Sequence, residues 1–100
     1  MKIIWSPLAR RRAEAAVDII SRDRPKAALE WYDGLVSRIE LLRHMPEQGR
    51  VVKEWHDPTV REILHDPYRI IYEVFTDRVE IITLHHYRQD FSAGIEEIET

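Results

Sequence analysis

The stretch VREILHDPYRIIYEVFTDRVEIITLHH, residues 60–86, decides the fold. Val60–His65 reads as one strand, and Asp66-Pro67 is turn chemistry. Arg69–Phe75 reads as a second strand, rich in β-branched and aromatic residues. Thr76-Asp77-Arg78 is a short hairpin turn, and Val79–His86 is a third strand. Val79, Ile81, Ile82 and Leu84 are apolar on both faces of the pleat, so this third strand is expected to be central or covered on both sides. Three strands this apolar cannot leave a whole face wet. A helical layer must cover it.

The preceding sequence supplies that layer. Lys2–Trp5 is a short apolar strand, and Ser6-Pro7 opens a helix, because serine caps orphan amides and proline suits the first helical position. Leu8, Ala9, Ala13, Ala16, Ile19 and Ile20 recur at helical spacing to about Arg22. Asp23-Arg24-Pro25 breaks that helix and starts another, with a joint of about three residues. Ala28, Tyr32, Leu35, Ile39 and Leu42 form its apolar stripe, which stops at Met45-Pro46. Trp31 and Tyr32 read as core aromatics rather than a binding platform. Two helices so joined form a hairpin. Pro46–Arg50 is a turn, and Val51–Thr59 is irregular. The expected order is β-α-α-β-β-β, an α+β fold with a helical hairpin on one face of a mainly antiparallel sheet.

One hundred residues suit one domain, and 44% hydrophobic content suits a modest core rather than a disordered chain. No apolar run is long enough for a membrane span, and the start is too short for a secretory signal. With no cysteine, disulfides, thiol nucleophiles and cysteine-ligated metals are excluded. A cytoplasmic location is the expectation. His85 and His86 are adjacent, so on a strand they point to opposite faces and cannot share a metal. No P-loop, zinc-protease motif or paired-glycine fingerprint is present, and no cofactor or metal is expected.

The net charge is −3, but twelve arginines stand against three lysines. Arginine is favoured where a planar fork meets carboxylate or phosphate. Glu96, Glu97 and Glu99 make residues 92–100 an acidic tail, without which residues 1–91 are neutral. That balance favours a protein partner over general nucleic-acid binding. Arg10–Arg12 reads as a solvated helix face. With a tight turn near Asp77, Arg69 falls opposite Leu84 or His85, and Arg61 lies across the Asp66-Pro67 turn. Arg61, Arg69, His85, His86, Tyr87 and Arg88 are therefore expected near one end of the sheet. Such a set can bind a phosphodiester and move protons. The plain alternative is solvation, or pairing with Glu62, Glu73 and Asp90.

In this order these pieces resemble the RelE/ParE toxin superfamily of bacterial type II toxin–antitoxin modules. The resemblance rests on Ile3-Ile4-Trp5-Ser6 with Ala9-Arg10, the Pro46–Arg50 turn, Val60-Arg61-Glu62, Pro67–Tyr72, and Leu84-His85 with Arg88 and Asp90. It covers residues 2–91, which implies a toxin domain at 1–91 and an acidic C-terminal tail at 92–100. Two branches are implied. RelE-like members are ribosome-dependent mRNA endonucleases, and for that branch Arg61, Arg69, His86 and Tyr87 would be the catalytic set. ParE-like members poison DNA gyrase and need no catalytic residues. Arg50, Tyr68, Arg69, His85 and Arg88 would then be partner contacts. The chain lacks a second base beside Arg61, lacks a strongly basic surface, and runs thirteen residues past Tyr87. The ParE-like branch is favoured. Either branch implies a cognate antitoxin, with the helical hairpin and a sheet edge as its expected contacts. A third reading is an inactive toxin-fold binding module.

Overall fold

Ser6 shows how the layers are joined. Its amide donates to Ile81 O at 2.9 Å and its hydroxyl to Ile82 O at 2.6 Å, while the same Oγ accepts from Ala9 N at 3.0 Å. One side chain thus ends a strand, ties it to a strand far along the chain, and caps the first helix. The computed structural model describes residues 1–88; the acidic tail at 92–100, like Asp90, lies outside the described residues. Strand β1 (Lys2–Trp5) leads into helices α1 (Pro7–Asp23) and α2 (Pro25–Glu40). A 3-10 turn (Leu41–Arg43), β2 (Arg50–Val51), a second 3-10 turn (Lys53–Trp55), β3 (Val60–His65), β4 (Tyr68–Val74) and β5 (Arg78–His86) follow. The sheet order is β1-β5-β4-β3-β2, with β1 parallel to β5 and every other pair antiparallel. The expected α+β architecture is present, and β5 lies inside the sheet.

The helices meet with only Arg24 between them, shorter than the joint expected. α1 buries Ala9, Ala13 and Ala16, small side chains that let it approach the sheet closely. α2 buries Ala28, Leu35 and Ile39, and Leu42 continues that stripe in the turn beyond. Two expected core positions face water instead, Ile19 and Tyr32. Trp31 takes the inward place: its Nε1 donates to Asp66 O at 3.0 Å, and its ring stands 5.3 Å from His65 and 5.6 Å from Tyr68. Adjacent helical positions both lie near the sheet-facing stripe, and the neighbouring strands decide which is covered. Arg38 Nε donates to His65 Nδ1 at 3.0 Å, so His65 Nε2 is the nitrogen that donates to Trp31 O, at 2.9 Å.

The main core lies between helices and sheet, with Tyr72, Ile70, Ile81 and Leu84 among its buried members. A smaller cluster on the opposite face joins Val52, Val60 and Ile71 with Trp55 and Ile82. Strand alternation puts Ile82 on that side, opposite Ile81. The β4–β5 register shift between Ile71 and Tyr72 lets Ile81 and Leu84, an odd number of residues apart, both face the helices. Strand β2 lies across the join of the segments read as turn and as irregular, and its Arg50 and Val51 pair with Glu62 and Arg61.

Tyr72 holds the turn before β2. Its Oη accepts from Gly49 N at 2.8 Å, and Arg61 donates to Gly49 O at 2.8 Å. Burial raises the Tyr72 pKa above the ordinary tyrosine value, outweighing the Gly49 amide and the Arg61 charge, which act the other way. Folding therefore favours the neutral phenol. This contribution is fully present below pH of about 10 and is lost as pH rises through the folded value. Tyr72→Phe should leave the Gly49 amide without its acceptor and cost about 1–3 kcal/mol at neutral pH. It should also flatten the alkaline fall in stability. Urea titrations of both proteins from pH 7 to 11 check this, and parallel curves for the two would refute it.

Candidate functional site

Strand alternation settles which polar side chains meet. The turn after β3 contains only Asp66 and Pro67, so His65 pairs with Tyr68, Leu64 with Arg69, and Arg61 with Tyr72. Directly paired residues share a face, and the pleat alternates with period two. Arg61 lies with Tyr72 on the helix side, whereas Arg69 lies on the open side. β5 divides in the same way, with Arg69 paired to His85 and Tyr68 to His86. The expected gathering of Arg61, Arg69, His85 and His86 into one set is therefore corrected. Arg69, His85 and His86 lie at the end of the sheet where β3 turns into β4, with His86 on the opposite face, and Arg61 stands three positions back along β3 from Leu64, the partner of Arg69.

On the open face, the buried carboxylate of Glu62 organises the arginines. Its Oε1 accepts from Arg50 Nε at 2.6 Å, and its Oε2 accepts from Arg69 Nε at 2.6 Å and Nη2 at 2.5 Å. The Glu62 side chain is 3% exposed and that of Arg69 18%, so this pair is held in a low-dielectric setting. Glu54 reaches Arg69 from the solvent side at 3.3 Å. His85, 2% exposed, lies below this surface rather than on it. The pairing of Arg69 with Glu62 is the plain alternative foreseen from the sequence.

On the helix side, Arg61 is tied to Gly49 O and, at 3.4 Å, to Glu47 O. The Tyr68 ring meets His86 edge-on at 5.3 Å. Burial raises the Tyr68 pKa, with the Arg12 charge opposing it. A cavity of about 330 Å³ is lined by Arg12, Ala15, Tyr68, Leu84 and His86. Arg12, read as part of a solvated face, instead donates to Thr83 Oγ1 at 2.9 Å and Leu84 O at 3.1 Å. Tyr87 follows the strand, its amide donating to Pro67 O at 3.0 Å, and the Arg88 amide donates to His86 Nδ1 at 3.1 Å.

Sequence reasoning named Glu62 only as a pairing acid and passed over Glu54 and Lys53. A signal for Glu62 was present, since it stands two residues from Val60, at an inward position of an apolar strand. Glu54 and Lys53 carried none, because their place depends on the 3-10 turn that folds them against the sheet.

The architecture is a small α+β domain, two helices packed on a five-stranded mixed sheet. A solved structure described as the chromosomal ParDE TA system from P. aeruginosa shares the fold, with TM-score 0.72 and 20% identity over 86% of this chain and 95% of that one. No curated protein matches the sequence. The family described as "ParE toxin of type II toxin-antitoxin system, parDE" matches residues 3–91. The chain belongs to that ParE toxin family. Among the described residues, no helix is long and apolar enough to cross a membrane.

Proposed function

We propose that this ParE-family toxin arrests bacterial growth in the cytoplasm by poisoning DNA gyrase, stalling the cleaved complex, and that a cognate antitoxin neutralises it. Residues 1–91 are the toxin domain in this reading, and 92–100 an acidic extension. The observation that carries it is the family match over residues 3–91, because members of this branch act on gyrase by resemblance. The division of the candidate nuclease set supports the same choice. A phosphodiester held by Arg69 on one face is out of reach of His86 on the other, so the ribonuclease reading lacks a single surface for Arg61, Arg69, His86 and Tyr87.

Arg50 and Arg69 contact the target from the open face, with His85 beneath Arg69. Tyr68 and Arg88 belong to a separate contact at the β5 end. The antitoxin covers the helical hairpin, where Ile19, Leu29 and Tyr32 are exposed apolar side chains. Its docking there resembles a groove-bound amphipathic helix. Purified protein should inhibit gyrase supercoiling and accumulate cleaved DNA. Unchanged supercoiling at micromolar excess, with codon-linked cuts in translated message by primer extension, would overturn the gyrase reading in favour of the nuclease.

A further inference from the structure

The open face carries a cavity of about 300 Å³, lined by Arg50, Val51, Lys53, Glu54, Glu62 and Arg69. Its two arginines are gripped from behind. Glu62 binds the Nε of each, so both guanidinium groups are oriented before anything arrives. Arg50 then presents the rest of its guanidinium to solvent, 68% exposed, next to the exposed Lys53. Glu54 stands at the mouth, 47% exposed and 3.3 Å from Arg69. That distance is long for a charge-assisted contact, which marks a loosely held carboxylate.

We propose that this cavity receives one aspartate or glutamate side chain of a partner protein, gripped by Arg50 and Lys53 and competing with Glu54 for Arg69. Among the described lining residues three cations face two carboxylates, an excess of one positive charge that suits a single carboxylate. A nucleic-acid strand fits less well: it brings a charge with every nucleotide, more than the single unit in excess among the lining residues. The inference rests on the partner-contact role proposed above for Arg50 and Arg69, and it supplies the chemical group that they recognise.

The test uses the full chain alone, without gyrase or antitoxin, so its result is independent of the supercoiling assay. The Nε–Hε NMR signals of Arg50 and Arg69, assigned with Arg50→Lys and Arg69→Lys, are followed in three titrations. The probes are acetyl-Ala-Glu-Ala-amide, its glutamine counterpart, and the dinucleotide thymidylyl-thymidine. The glutamate peptide should shift both signals saturably, the glutamine peptide should not, and the dinucleotide should bind at least threefold more weakly. Glu54→Gln, an exposed change checked for folding by circular dichroism, should tighten the glutamate peptide at least threefold by removing its competitor. Equal shifts with the glutamine peptide, tighter binding of the dinucleotide, or an affinity unmoved by Glu54→Gln would each overturn the proposal.

Discussion

Glu62→Ala should cost the domain about 3–5 kcal/mol, the range for removing one partner of a buried, hydrogen-bonded ion pair. The carboxylate accepts from two arginines at once, and with it gone the largely buried Arg69 loses the nearer of the two carboxylates that Glu62 and Glu54 bring to it. A guanidinium that loses its closest carboxylate in that setting costs more than the lost attraction, because less of its desolvation is offset. Domain stabilities run to about 5–15 kcal/mol, so the variant should be close to unfolding. Removing both charges tests the cause. Glu62→Leu combined with Arg69→Met should recover most of the loss, since a well-packed apolar pair of similar volume avoids the desolvation cost. Urea unfolding followed by circular dichroism measures all three proteins. A loss below about 1 kcal/mol in Glu62→Ala would show that the pair behaves as a solvated surface bridge.

Gly49→Ala should produce the second large effect. A Cβ at this position would stand 2.5 Å from both Glu62 O and Tyr72 Oη, and 2.9 Å from Glu62 C. The backbone of β3 cannot yield without disturbing its pairing with β4, and Tyr72 is anchored in the core. The requirement is one of space, as no glycine among the described residues has a positive φ. Overpacking of this kind costs about 1–3 kcal/mol, and opening the Gly49–Tyr72 hydrogen bond adds about 1 kcal/mol. Tyr72→Phe in the same chain removes the hydroxyl clash but leaves the clash with Glu62 O, so the double variant should recover only part of the loss. Thermal and urea unfolding of the set checks this. A Gly49→Ala protein as stable as the parent would mean that the turn can move away from β3. The consequence reaches the candidate site, because Arg50 follows Gly49 directly, and displacing the turn would pull its guanidinium from Glu62.

Both predictions concern residues whose importance was only half legible. The start of α1 could be read from Ser6-Pro7, because the chemistry of a helix start is local. β3 matches its expected bounds, and β4 and β5 each begin one residue earlier than read. Their signal is a period of two, which survives in any sequence that must bury one face of a strand. The errors fall where two local solutions were equally good, as with Trp31 and Tyr32, or where an element is too short to show a period, as with β2.

The candidate site suffered most from this limit. Arg61 and Arg69 are eight positions apart, and the length of the Asp66-Pro67 turn decides whether they share a face. Two residues in the turn place them on opposite sides, and an odd count would have placed them together.

Read alone, the chain determines that two amphipathic helices and a hairpin-rich sheet must cover one another, because side-chain direction repeats at fixed intervals along each element. It also places Arg69 beside His85, because a short turn near Asp77 fixes the register of the two strands. Only the tertiary structure decides that β1 lies parallel to β5, that Glu62 sits between Arg50 and Arg69, and that His86 faces away from them. Those relations are made by contacts between residues remote in sequence, such as Ser6 with Ile82, 76 positions apart. No local periodicity encodes which strand will be the neighbour or which of its two faces the helices will cover.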